Sequence, residues 1–263
     1  MTKERYGGGH DLEVLAQSRV QLSLDTRTNT HVVIKTHPRR ATTDDLAQEI
    51  ATHAILGAHD HLVTMLDTFV ADGNAHIVLE YCNGGDLLAR LQRQQRFSPL
   101  DAIALGLDVA KGLACLHKHG IAHRDVSLEN VFLHDGKCKL GDFGLSTELT
   151  TVRGTAGKLM YMAPEVATGH AAYDPKAADV WSLGIVLFIM LTGVPLFSVA
   201  ARSDKLFRAV HRQGLQPVLR ICQKKGFMTP AISDVLLKML LVAPTQRMTS
   251  DDVVHALEGL LLS

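Results

Sequence analysis

Apolar and polar residues alternate at Val20-Gln21-Leu22-Ser23-Leu24, the period of a strand with one face buried. Asp25 to Thr30 is a polar turn, and His31-Val32-Val33-Ile34-Lys35 is a β-branched strand ending on a lysine. Thr42-Thr43-Asp44-Asp45 supplies cap residues and early acids, a helix start. Leu46, Glu49, Ile50 and His53 recur at helical spacing, which turns Glu49 inward, and Gly57 is the expected stop. Leu62 to Val70 and His76 to Glu80 read as two further strands around a turn at Asp72-Gly73-Asn74.

Asn83-Gly84-Gly85 breaks this pattern and marks a hinge, after which the chain turns mostly helical. Ser98-Pro99-Leu100-Asp101 combines an N-cap, a first-turn proline and an acid at the third helical position. Ile103, Leu107, Ala110 and Ala114 continue the stripe to about His117. Short strands at Asn130 to Leu133 and Cys138 to Leu140 flank a turn at His134-Asp135-Gly136, and four more helices are expected near 175–192, 203–213, 230–242 and 250–262. The longest apolar stretch, Val180 to Leu191, is shorter than the roughly 20 residues of a membrane span and reads as a buried helix.

Composition narrows the partners. Of 263 residues, 46% are apolar, enough for a sizeable core. Basic and acidic residues balance at 27 each, which argues against a nucleic-acid partner or membrane-surface binding driven by bulk charge. The four cysteines form no C-x-x-C pair, and the polar first residues show no signal peptide, so an intracellular, cytoplasmic protein without membrane insertion is expected. The 14 histidines include no set with metal-ligand spacing beside a cysteine or acid, and His123 is expected to prop a loop.

The centre of the chain carries chemistry. His123-Arg124-Asp125 is followed by Asn130 and then by Asp142-Phe143-Gly144. An acid that can take a proton, an amide that can hold a metal and a second metal-binding acid fall in one short stretch. This spacing resembles the catalytic core of the eukaryotic protein-kinase family, and the resemblance covers essentially the whole chain. It implies an α+β, bilobal protein-kinase fold in a single domain. A small β-rich N-lobe with one helix (about 1–80) and a hinge (about 81–85) precede a larger, mainly helical C-lobe (about 86–263).

The resemblance also implies roles. Asp125 accepts or aims the proton of a substrate hydroxyl, while Asn130 and Asp142 hold Mg2+ against the phosphates of ATP. Val32-Val33-Ile34-Lys35 resembles the strand whose lysine contacts those phosphates and pairs with a helix glutamate, here Glu49. The backbone of Glu80 and Cys82 meets the adenine edge, with Leu79 behind. Leu12, Val20, Val33 and Phe132 complete the nucleotide site. Asp86 either meets the ribose or caps a helix. Ala163-Pro164-Glu165 closes an activation segment, with Glu165 buried against Arg247 and Asp179 capping the catalytic loop. Arg124 implies ordering of that segment by phosphate, from an upstream kinase or autophosphorylation, with Thr147, Thr150, Thr151 and Thr155 as candidate acceptors.

Two departures stand out. The positions expected to hold glycine in the phosphate-covering loop are Glu13, Leu15 and Ser18, and Gly7-Gly8-Gly9 lies too early for an ordinary hairpin. Weakened or unusual nucleotide binding is expected. The family's usual lysine two residues after the catalytic aspartate is Ser127, and the usual threonine seven before the A-P-E glutamate is Lys158. Either Lys158 reaches back to Asp125 and restores the charge as a catalytic residue, or it faces solvent and Ser127 is a tolerated loss. The catalytic loop lacks the arginine- or alanine-rich pattern of tyrosine kinases, and Tyr161-Met162-Ala163-Pro164-Glu165 lacks their tryptophan. The expected function is transfer of the γ-phosphoryl group of ATP to serine or threonine of a protein substrate. The alternative is a pseudokinase acting as a signalling scaffold or binding module.

Overall fold

The computed structural model describes residues 5–14, 19–38, 44–169 and 171–262. The alternating segments of the first third form a five-stranded antiparallel sheet in the order β1-β2-β3-β5-β4. Its strands are β1 (Tyr6–Val14), β2 (Arg19–Asp25), β3 (Thr30–Pro38), β4 (Met65–Ala71) and β5 (Asn74–Glu80), with helix α1 (Asp44–Leu56) between β3 and β4. Directly opposed residues share a sheet face. The registers Val20–Lys35–Ile77 and Leu22–Val33–Leu79 therefore lay Val20, Val33 and Lys35 on one side. Val32, Ile34 and Val78 lie on the other and pack with Tyr6 and Phe69 into a small core.

The glycine run does not form the hairpin tip. Gly7 pairs with Leu24, at the opposite end of β1 from the Val14–Arg19 pair beside the tip. The register slips between Gly7 and His10, where Gly8 takes a φ of +67°, so the run builds a β-bulge. Residues 15–18, between β1 and β2, lie outside the described residues, Leu15 and Ser18 among them, as do the cap residues Thr42 and Thr43, whereas Glu13 is exposed and pairs with Val20. The tight turn between β4 and β5 is Asp72-Gly73, both with positive φ, and Asn74 opens β5 by pairing with Ala71. Leu62 lies outside β4: it forms a bridge with Leu140 in the helical half.

The second half contains α2 (Leu87–Gln94), α3 (Pro99–Lys118), the hairpin β6 (Val131–His134) and β7 (Lys137–Leu140), α4 (Pro164–Thr168), α5 (Pro175–Thr192), α6 (Lys205–Gln213), α7 (Gln216–Lys224), α8 (Pro230–Met239) and α9 (Ser250–Leu261). Hydrophobic periodicity had indicated α3, α5, α6, α8 and α9 but not α2, α4 or α7. Helix α7 carries Pro217 in its first turn, where proline lacks only an N–H that the helix does not use. Helix α3 packs against α5 and α9 around the main core. Helix α5 is apolar and long enough by composition to cross a membrane, and 78% of it is buried inside this core.

Candidate active site

Strand β3 and helix α1 meet at one ion pair. Lys35 Nζ donates to Glu49 Oε1 (3.0 Å) and Oε2 (2.9 Å), and to Asp142 Oδ1 (2.9 Å). The helical spacing that turned Glu49 inward leaves it 1% exposed, so Lys35 is what compensates its charge. Burial by itself lowers the Lys35 pKa, but Glu49 and Asp142 outweigh it and the ammonium is held above its ordinary value. Burial pushes Asp142 up, and Lys35, together with His123 and the Gly144 N–H, more than reverses this, so the carboxyl lies below its ordinary value. Behind the cluster Phe143 is fully buried, with the rings of His53 and His123 at 4.7 and 5.6 Å. Burial lowers the His53 pKa to about 4. Thr52 and Ser146 share a buried hydroxyl–hydroxyl bond of 2.8 Å, a second tie from α1 to the segment after Asp142.

The catalytic loop is positioned from below. Asp179, 1% exposed on α5, accepts from the backbone N–H of His123 and of Arg124, each at 2.7 Å. His117 Nε2 lies 3.1 Å from the same carboxylate, and its Nδ1 is 2.9 Å from Ser250. His123 Nδ1 accepts from Asp125 N–H (3.2 Å), which makes Nε2 the donor to the Gly141 carbonyl (3.0 Å). Gly141 N–H in turn donates to the Asn130 carbonyl (2.9 Å). These bonds fasten the Asp125 loop to the residue beside Asp142. Arg124 and Asp142 both have positive φ, at +67° and +62°, a strained backbone concentrated at the site.

Around Asp125, Asn130 Nδ2 donates to its carbonyl (2.8 Å) and to Oδ2 (2.7 Å). Lys158 Nζ donates to the same Oδ2 (3.1 Å) and to Ser127 Oγ (2.9 Å). Of the two readings of Lys158, the geometry is that of the one reaching back. Asp125 Oδ1 is buried and has no partner. Asn130 spends its amide N–H groups on Asp125, which leaves its side-chain carbonyl oxygen as a hard donor, and Asp142 is a second. That set suits a divalent cation completed by phosphate and water oxygens. Among the described residues no group of three or more His, Cys, Asp or Glu could hold a metal on its own.

The remaining sequence candidates are spread along the crevice. Leu12 stands half exposed at the second irregularity of β1, and Val20 and Val33 share the Lys35 face of the sheet. The Glu80 side chain accepts from Thr64 N–H (2.7 Å) and Lys139 Nζ (2.9 Å), which ties β5 to β7. Cys82 is buried, and burial pushes its thiol up to about 12. Asp86 caps α2 through a 2.7 Å bond from Ala89 N–H to Oδ1. Phe132 sits in β6 against Gly141, adjacent to Asp142. Sequence reasoning missed His117, Lys139 and the Thr52–Ser146 bond. Their partners are 62, 59 and 94 residues away, and no local spacing announces them.

The segment from Asp142 to Glu165 is anchored at its end by Arg247, whose guanidinium is fully buried and pairs with Glu165 (Nη2–Oε2, 2.8 Å). Arg247 also donates to the carbonyls of Leu241, Val242 and Ala177 and lies over the Trp181 ring. Thr147 is buried and its backbone pairs with Ala122, which takes it out of reach as an acceptor, whereas Thr150, Thr151 and Thr155 are exposed. Arg124 Nη1 donates to the Leu145 carbonyl (3.3 Å), and its Nε is buried without a partner.

The family profile described as protein kinase domain matches residues 16–257. The chain belongs to the protein kinase family. The kinase domain is 38% identical over 56% of its length to a calcium/calmodulin-dependent serine/threonine-protein kinase of Malus domestica, covering 37% of that protein. It is 34% identical over 71% of its length to ribosomal protein S6 kinase alpha-4 of Mus musculus, covering 24%. With calcium-dependent protein kinase 9 of Oryza sativa subsp. japonica the identity is 31% over 95% of the chain and 45% of the relative. The chain thus spans less than half the length of each of these curated relatives.

Proposed function

We propose that this kinase domain transfers the γ-phosphoryl group of ATP to serine or threonine hydroxyls of a protein substrate. The observation that carries the reading is the condition of Asp125. One carboxylate oxygen is held by Asn130 and Lys158, and the other is buried, unpartnered and able to accept a proton. The hydroxyl oxygen attacks the γ-phosphorus as the bond to the β–γ bridging oxygen breaks, its proton passes to Asp125 Oδ1, and ADP leaves. Lys35, fixed by Glu49, meets the α- and β-phosphates, and the Val20–Val33 face of the sheet covers the base. Asn130 and Asp142 would hold the divalent cation, which we take to be magnesium because one or two oxygen ligands plus phosphates is its usual protein site. A cation held there would supply neutralisation of charge on the phosphate oxygens.

Serine/threonine selectivity is supported by the catalytic-loop and Tyr161–Glu165 sequences and by the printed names of the relatives. A broken constellation would favour the pseudokinase reading. Here Lys35, Glu49, Asp125, Asn130 and Asp142 are all present and bonded to one another in two linked groups, which counts against that reading. The unpartnered Arg124 Nε supports phosphate ordering of the segment at Thr150, Thr151 or Thr155, by another kinase or by this one. Four free cysteines support a cytoplasmic location.

The test is phosphoryl transfer from radiolabelled ATP with magnesium, comparing the chain with Asp125→Asn. The variant is expected to lose about 10²–10⁴-fold in turnover while keeping its thermal shift with ATP and magnesium. Equal signals from both proteins would point to a contaminant. No transfer and no thermal shift by the unmodified chain would leave the scaffold reading.

A further inference from the structure

The catalytic loop of this domain carries one cation, and that cation is turned away. Between Arg124 and Asn130 the only basic residue is Arg124, whose Nη1 bonds to the Leu145 carbonyl. Two acids, Asp125 and Glu129, lie in the same stretch, and Glu129 accepts from Tyr161 Oη (3.1 Å). No positive charge from the loop itself reaches Asp125. The charge that does reach it belongs to Lys158, which lies 33 residues on, in the activation segment.

The backbone is shaped to deliver this lysine. Gly157 has a φ of +84°, and a Cβ there would lie 2.6 Å from the Arg124 carbonyl oxygen and 3.1 Å from Asp125 Oδ1. Only glycine lets the segment lie flat on the loop at this point. On the far side, Tyr161 N–H donates to the Lys158 carbonyl (2.9 Å), and the Tyr161 carbonyl accepts from Ser182 on α5 (2.8 Å). Lys158 is therefore held between a close backbone approach and a turn anchored to the core helix. Its ammonium has three N–H groups. Two go to Asp125 and Ser127, and one remains for a phosphate oxygen.

We propose that Lys158 supplies the cation of the reaction centre, and that ordering of the activation segment and completion of the catalytic site are consequently one event. This rests on the phosphotransfer reading above. Ser127 is the receiving end: fully buried and uncharged, its hydroxyl accepts from the lysine that the segment brings. Displacing the segment around Lys158 removes the charge from Asp125 whatever the state of the nucleotide pocket, because Lys35 and Glu49 are held by the sheet and α1. A segment carrying its own catalytic lysine reports its order directly in kcat.

The test uses Lys158→Met, Lys158→Arg, Gly157→Ala and the double exchange Ser127→Lys/Lys158→Thr, with Asp125→Asn as control. Lys158→Met is expected to lower kcat by about 10²-fold with KM for ATP changed by less than about threefold, since the charge acts in the transition state. Lys158→Arg should retain part of the activity, and the double exchange should recover at least about tenfold over Lys158→Met by returning a cation to the loop. Backbone amide exchange over residues 149–160, read by mass spectrometry, gives an arm that does not depend on turnover. Lys158→Met and Gly157→Ala should speed exchange there and leave β3 and α1 unchanged. Unchanged kcat in Lys158→Met, or unchanged segment exchange in a folded Lys158→Met protein, would overturn the proposal. An inactive parent chain in which Lys158→Met still loosens the segment would instead count against the phosphotransfer reading alone.

Discussion

Lys35 on Asp142 and Lys158 on Asp125 both pair an ammonium with an active-site carboxylate, and the difference lies in what holds them. Lys35 comes from the middle of a five-stranded sheet, and its partner Glu49 comes from a helix packed on that sheet. Its side chain is 16% exposed, and two acids meet it. Lys158 comes from a loop and meets another loop. It is 38% exposed, and a glycine contact and one anchored turn keep it in place. The first arrangement is a permanent fixture of regular structure. The second lasts only while a segment stays folded against its neighbour. Exposed ion pairs contribute about 0–1 kcal/mol, so the Lys158 contact cannot hold the segment alone. The same chemical feature, an ammonium on a carboxylate, serves as architecture in one place and as a conditional contact in the other.

Cutting the distal support of the second region should have the largest effect. Arg247→Ala leaves Glu165 without its partner in the core, and a loss of about 3–5 kcal/mol is expected in denaturant unfolding. If the segment depends on that anchor, residual activity at low temperature should fall further than nucleotide affinity does. Next is Lys35→Met. Removing the cation leaves Glu49 and Asp142 facing each other, and kcat/KM for ATP should fall by about 10²–10³-fold together with the nucleotide-induced thermal shift. Equal loss of nucleotide binding in Lys158→Met would erase the contrast between the two lysines.

The smallest effect sharpens the comparison from the first region. His53 is buried against Phe143 with Nε2 unpartnered, and its pKa in the folded domain is about 4, against about 6.5 in an unfolded chain. The unfolded chain therefore binds the extra proton first. Stability from this group is complete above about pH 6.5 and declines as pH falls toward about 4, by at most about 3 kcal/mol. In urea titrations at pH 7 and 4.5, His53→Phe should lose less stability between the two than the parent does. An identical decline in both proteins would show that His53 is not buried in its neutral form.

How much of this was legible follows from how local each signal is. Glu49 could be assigned to the inward face because its helix repeats every 3.6 residues, and Asp125, Asn130 and Asp142 could be given roles because they resemble the protein-kinase pattern within one short stretch. The Lys158–Ser127 contact was visible only as a paired departure from a family pattern, with no local signal of its own. His117 on Asp179 and Lys139 on Glu80 were not visible, since each contact is made by folding elements that lie far apart along the chain. The glycine run lies too early for the β1–β2 turn, as its spacing from Lys35 indicated; what the spacing did not show is that its backbone freedom makes a bulge in β1. Helix α7 was not indicated by periodicity, and its first turn accommodates Pro217.

The most direct measurement is kcat and nucleotide dissociation constant determined together on Lys35→Met and Lys158→Met beside the parent chain. The account predicts that Lys35→Met loses both turnover and nucleotide affinity, whereas Lys158→Met loses turnover and keeps affinity within about threefold. Two variants that move both quantities in parallel, or a Lys158→Met protein as active as its parent, would contradict it.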